Sequence, residues 1–290
     1  MGIEYENEAG VHYVFLCDEY SGKEAAALIK KNKVPKVIML SLPSSGEGLA
    51  FLAKCASITN LRLSLEDSGE FDISPIYQLP NLEKIEFGAI AKEDIDFSKM
   101  PNIRNVIIDW SSALSSIFHA TQLKSLHLQG ISTVKITDLS FLSELKNLEE
   151  LHIAYAKCQS LSGVESLKKL RVLHLESMPK LTDIAALAKL KLLDSLGISN
   201  CNKIVDIHST LEKLTQLQTL GLKHRKIQSV DFVRKLRKLK VINFTGSSLI
   251  DGDLTPFLDK NLNLERVVFS DRSQYSHTFM QMHDLLHPVE

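Results

Sequence analysis

The sequence is short of several things. Cysteine occurs four times in 290 residues, at Cys17, Cys55, Cys158 and Cys201, and no two form a C-x-x-C pair. Such wide spacing speaks against a zinc ribbon and a disulfide framework, and it suits a reducing compartment. Tryptophan occurs once, at Trp110. No apolar run approaches the roughly 20 residues that a membrane-spanning helix needs. The opening MGIEYENEAG is acidic and lacks the apolar stretch of a secretory signal. The expectation is a cytoplasmic protein without membrane contact. Neither sign of charge is in excess, with 34 Lys and Arg against 35 Asp and Glu. No global field therefore selects nucleic acid or a membrane surface as partner.

Catalytic signatures are missing too. There is no G-x-x-x-x-G-K-[ST], no H-E-x-x-H, no G-x-S-x-G and no G-x-G-x-x-G opening a helix. PSSGEGLAF contains Gly46 and Gly48 but no phosphate-binding continuation. No enzymatic activity, cofactor or small-molecule substrate is expected.

What the chain does have is leucine in a fixed pattern. L-x-x-L-x-L, with Ile, Val or Phe allowed, begins at Val37, Ile58, Leu82, Ile103, Leu123, Leu148, Leu170, Leu193, Leu217, Leu239 and Leu264. In a strand, alternate side chains point to opposite faces. The fourth and sixth positions, such as Leu126 and Leu128, therefore face a core, and the fifth faces away. One such strand cannot bury its apolar side alone, whereas stacked copies bury it against each other. Each copy then turns back, often at an Asp followed by an apolar residue: Asp72, Asp138, Asp183 and Asp231. Asp accepts the free amides of a first helical turn, so the spacing predicts short helical or 3₁₀ turns on the outer side.

These cores, with the returns ITDLSFLSELKNL and LTDIAALAKL, resemble the leucine-rich repeats of the short bacterial type found in internalins. LDSLGISNCNKIVDI, with Cys201, is similar to the cysteine-bearing variant of that repeat. The asparagine of the family pattern is replaced at Met178 and Arg225. The resemblance implies an α/β fold: an open right-handed leucine-rich-repeat solenoid, a horseshoe of about eleven repeats with parallel concave strands and short convex helices. Residues 1–36 are expected to form a capping strand–helix unit, its strand being VHYVFLC at 11–17, with Ser21 and Glu24 spaced as a capping box. Repeats are expected over 37–269 and a capping helix, stopped by Pro288, over 270–290. Internalins are exported, so without a signal their adhesive role is not carried over.

The fifth positions place His127, His152 and His174 on one ladder. Asp109, Trp110, Tyr155 and Glu176 lie at the seventh and eighth positions, and Glu150 at a third. Gly197 and Gly221 continue the ladder as a flat floor. Aromatic and mixed polar groups favour protein recognition. Three readings of the ladder compete: a merely exposed strand face, a protein-binding patch, and a metal site formed by the histidines. Bases cluster elsewhere, at Lys223, Arg225, Lys226, Arg234, Lys235, Arg237, Lys238 and Lys240, and before the strands at Lys146, Lys168, Lys169, Lys191, Lys213 and Lys260. That basic edge leaves open a regulator docking on nucleic acid or an acidic partner. The reading favoured by the sequence is a non-catalytic protein–protein interaction module, binding a partner such as an enzyme or toxin on the concave face.

Overall fold

A computed structural model of the chain describes residues 2–8, 11–17, 19–44, 46–64, 71–88, 95–109, 112–129, 135–223 and 226–287. The chain divides into two compact units, Met1–Val134 and Lys135–Glu290.

The first unit begins with an antiparallel hairpin, β1 (Ile3–Glu8) and β2 (Val11–Leu16). Helix α1 (Gly22–Asn32) follows and buries Ala25, Ala26 and Ile29. Strands β3 (Lys36–Met39), β4 (Asn60–Leu63), β5 (Lys84–Phe87), β6 (Asn105–Asp109) and β7 (Ser125–Gln129) then add in parallel, each beside the one before. Burial alternates along them as the period of two requires: Leu61 and Leu63 are buried, and Arg62 between them is exposed.

Three expectations are corrected here. The sequence reading gave no strand to the first ten residues, yet β1 lies there, paired in register from Ile3–Leu16 to Glu8–Val11. The first copy is displaced by three residues. Val37 pairs with Leu61 and Met39 with Leu63, so the motif starts at Val34 and its outward fifth position is Ile38, not Ser41. Leu40, assigned to the core, is exposed. The chain around Val34 to Leu42 satisfies the apolar pattern in two frames, and pairing with β4 selects one. Finally, the Ser21 side chain does not cap α1. Its carbonyl accepts the Ala25 amide at 3.0 Å instead.

The second unit carries β8 (Glu150–Ala154), β9 (Val172–Glu176), β10 (Ser195–Ser199), β11 (Thr219–Lys223), β12 (Val241–Asn243) and β13 (Arg266–Val268), all parallel and adjacent in chain order. Leu148, Leu151 and Ile153 of one copy, and Leu170, Leu173 and Leu175 of the next, are fully buried. Each such side chain contributes about 1.5–3 kcal/mol on leaving water.

The returns are mostly 3₁₀ turns, for example Ser140–Leu142 and Ala185–Lys189, with a short α2 at Ile207–Leu211. Asp138 accepts the Ser140 amide at 3.0 Å and the Ser140 hydroxyl at 2.7 Å, and Asp183 accepts the Ala185 amide at 2.9 Å. These bonds hold the Asp138 carboxyl below its ordinary range, with the Ser140 hydroxyl as the main cause. Asp231 does not cap its turn as expected. The Ser229 hydroxyl accepts the Asp231 amide at 3.1 Å, because Asp231 already lies inside the turn Asp231–Lys235. Gly163 opens the turn Val164–Ser166 at φ 107°, where a Cβ would lie 2.5 Å from the Leu139 carbonyl. The unit ends in α3 (Phe279–Leu286), whose capping box joins Thr278 and Gln281 reciprocally. Pro288, the expected stop, lies outside the described residues. Among those residues, no helix is long and apolar enough to cross a membrane.

Candidate concave-face site

The outward ladder follows from register. In the second unit His152 pairs with His174, His174 with Gly197, Gly197 with Gly221, and Gly221 with Asn243. In the first, Ile107 pairs with His127 and Asp109 with Gln129. Asp109 and His127 therefore sit on β6 and β7 as the period of two predicts. Trp110 lies outside the described residues.

The second unit brings most of the remaining candidates together. His152 and Glu150 share one face of β8, two residues apart, and His152 Nε2 lies 2.7 Å from Glu150 Oε1. The His174 ring leans on His152, centroids 4.4 Å apart and planes tilted by 34°. Partial desolvation of the His174 ring, which stays open to solvent, holds its pKa below the ordinary value; the positive charge of a protonated His152 adds to this, while Glu150 opposes it. Near neutral pH His174 thus presents an uncharged ring with one donor and one acceptor nitrogen at the edge of the patch.

Tyr155 follows β8 and is 45% exposed. Its backbone is left-handed, φ 60°, as is that of Ser177 (φ 51°) after β9 and Asn200 (φ 55°) after β10. The three are equivalent, since each donates its amide to the next strand: Tyr155 to Glu176 O, Ser177 to Ser199 O and Asn200 to Lys223 O, at 2.9–3.0 Å. Asn suits this conformation, whereas a bulky residue adopts it at a local cost. A tyrosine held there and left half in water is a candidate contact.

Beside His174 the floor opens. A groove of about 580 Å³ runs over Gly197 and Gly221, with Glu176, Lys223 and Asn243 among the residues around it. The sequence places the two glycines and Asn243 on one outward ladder but counts Lys223 only with the basic edge. Its signal was available, because Lys223 occupies the same seventh position as Glu176.

No protein-family model and no curated protein matches the sequence. Solved structures do. An internalin (inlF) from Listeria monocytogenes aligns with a TM-score of 0.55 at 18% identity, covering 87% of this chain and 75% of that one. A leucine-rich-repeat protein of Leptospira interrogans gives a TM-score of 0.54 at 17% identity, over 93% of this chain and 63% of that one. The fold is that of the leucine-rich repeats. TLR13, solved in complex with ssRNA13, shares it at a TM-score of 0.58 and 16% identity, with 82% of this chain covering 36% of that one.

The leucine-rich-repeat scaffold also ties down part of the basic edge. Arg234 pairs with Asp259 at 3.0 Å and Asp231 at 3.4 Å, and Lys240 with Glu265 at 2.8 Å. Lys169 donates to Asn147 at 2.7 Å and Lys238 to Gln216 at 2.6 Å, each linking neighbouring copies.

Proposed function

We propose that this leucine-rich-repeat protein binds another protein, without catalysing a reaction, through the outward face of its parallel strands. In the second unit the contact centres on Glu150, His152, Tyr155, His174 and Glu176. Asp109, Trp110 and His127 are candidates in the first. The supporting observation is Tyr155, an exposed aromatic held in a left-handed backbone at the end of β8, the strand whose His152 ring meets His174 of β9 at 4.4 Å. Inhibition of a bound enzyme or toxin is the finer form of this reading. The β1–β2 hairpin with α1, and α3 at the other end, serve as caps that shield the terminal copies, as a repeat stack requires.

Capture from native lysate tests the proposal, comparing the wild type with His152→Glu, Tyr155→Ala and Trp110→Ala. Loss of one partner in at least the His152→Glu and Tyr155→Ala variants is expected. An unchanged partner set with folded variants would overturn it. The basic edge supports nucleic-acid docking less well, because Arg234 and Lys240 are already paired with carboxylates. Steeply salt-dependent retention on heparin would favour that alternative.

A further inference from the structure

Gly197 and Gly221 are adjacent rungs in mid-strand, and nothing in the fold requires glycine at either. Neither has a left-handed backbone. A Cβ on Gly197 would rest 3.5 Å from the His174 ring, and one on Gly221 would lie 3.7 Å from Gly197 Cα, both ordinary contacts. Glycine in a strand interior costs stability and packs nothing. What the pair provides is bare main chain at the bottom of the groove. That is the condition for close approach by another backbone.

The charges beside the floor are specific. Glu176, Ser199 and Lys223 form one row across β9, β10 and β11. The acid and the base thus stand two strand steps apart, about 10 Å. Among the described residues neither has an ion-pair partner, and both are exposed. The Lys223 stem leans on Gly246, where a Cβ would come within 3.5 Å of Lys223 Cε. The groove therefore offers a carboxylate at one side and an ammonium at the other, over a neutral floor. A free amino acid has its charges too close together to reach both. An extended segment with a base and an acid flanking one small residue carries them on the same face, about 7 Å apart before side-chain reach.

We infer that the groove over Gly197 and Gly221 binds a short extended segment of the partner polypeptide that carries a basic and an acidic side chain two residues apart. Its main chain lies on the two glycines between His174 and Asn243. Its base faces Glu176 and its acid faces Lys223. The volume of about 580 Å³ lies within the usual range of ligand sites. This inference rests on the proposed concave-face binding and specifies what the partner presents there.

The test uses the full nitrogen-labelled chain and two blocked peptides, acetyl-Ala-Arg-Gly-Glu-Ala-amide and its neutral counterpart acetyl-Ala-Gln-Gly-Gln-Ala-amide. The charged peptide at millimolar concentration is expected to shift the Gly197, Gly221 and Asn243 amides saturably, and the neutral one is not. Glu176→Gln and Lys223→Gln should each weaken binding by up to about fivefold, as expected for an exposed ion pair. Gly221→Leu should fill the floor and abolish the shifts. If that variant misfolds, Gly221→Ala, which fits the fold, should still weaken them. Silence with the charged peptide, equal shifts with both peptides, or charge variants without effect would each overturn the inference. A silent peptide together with loss of partner capture in His152→Glu removes the groove alone. Unchanged capture removes the wider reading.

Discussion

Replacing Gly163 and Gly221 by alanine, one at a time, is expected to move stability in opposite directions. At Gly163 the backbone sits at φ 107°, and an added Cβ would lie 2.5 Å from the Leu139 carbonyl carbon and oxygen and 2.6 Å from Ser140 Cα. These are main-chain atoms of the preceding copy and cannot step aside as a flexible side chain would. The conformational penalty is about 1–2 kcal/mol, and overpacking adds about 1–3 kcal/mol. At Gly221 the Cβ has ordinary room, and the strand backbone suits alanine, so the substitution should gain about 0.5–1 kcal/mol. The two variants then differ by about 2.5–6 kcal/mol. Urea unfolding reads this as a lower midpoint for Gly163→Ala and an equal or higher one for Gly221→Ala, with unchanged slopes. If Gly221→Ala lost as much stability as Gly163→Ala, the floor glycine would be a structural necessity. The case for the groove as a binding feature would then fail.

Acidification should destabilise the fold through His174. Its folded-state pKa is lowered, chiefly by partial desolvation, so the unfolded chain takes up the proton first as pH falls below about 6.5. Stability present above that value is lost on going lower, and His174→Gln should flatten the dependence of the unfolding midpoint between pH 7 and 5. Asp138→Ala, which removes the bonds to the Ser140 amide and hydroxyl, should cost about 1 kcal/mol in chemical unfolding. Ser229→Ala, removing the acceptor for the Asp231 amide, should cost a comparable or smaller amount. Thiol labelling of the native chain should reach Cys17 first, because Cys55, Cys158 and Cys201 are buried. Burial raises the thiol pKa at all three, to about 11 at Cys158. Rapid modification of Cys158 in the folded protein would contradict its placement.

The strands were readable because the pattern couples two constraints, burial on alternate residues and recurrence at a narrow spacing. Where only one applied, the reading slipped. In β1 the acids Glu4, Glu6 and Glu8 alternate with Ile3, Tyr5 and Asn7, and a run of charge concealed a hairpin. Around Val37 both Val34–Val37–Met39 and Val37–Leu40–Leu42 fit the motif, and only pairing with β4 separates them. Asp231 looked like Asp138 and Asp183 in sequence, but its turn starts at that residue and the capping role passes to Ser229. At the site, the i, i+2 relation of Glu150 and His152 was legible from strand periodicity. The left-handed backbone of Tyr155 was not, because its equivalents are Ser177 and Asn200, and only the last signals that conformation. The walls of the groove come from three different strands, and sequence shows them only once the register is known.

The far end of the second unit has a consequence for assembly. Parallel repeats grow by templating, each strand receiving the amides and carbonyls of the one before. The last, β13, has only three residues, Arg266–Val268. After it come Phe269, Tyr275 and Phe279, with Phe269 stacked at 5.3 Å on Phe244 of the preceding copy and meeting Phe279 edge-on at 6.0 Å. α3 is tied to this last copy by the Phe279 amide donating to Asp271 and by His287 Nε2, 2.9 Å from the Glu265 carbonyl. A short edge covered by a ring cluster is a poor seed for a foreign strand. Removing α3 would leave these rings and the unpaired edge of β13 open to water, which is the liability that a short, covered edge avoids.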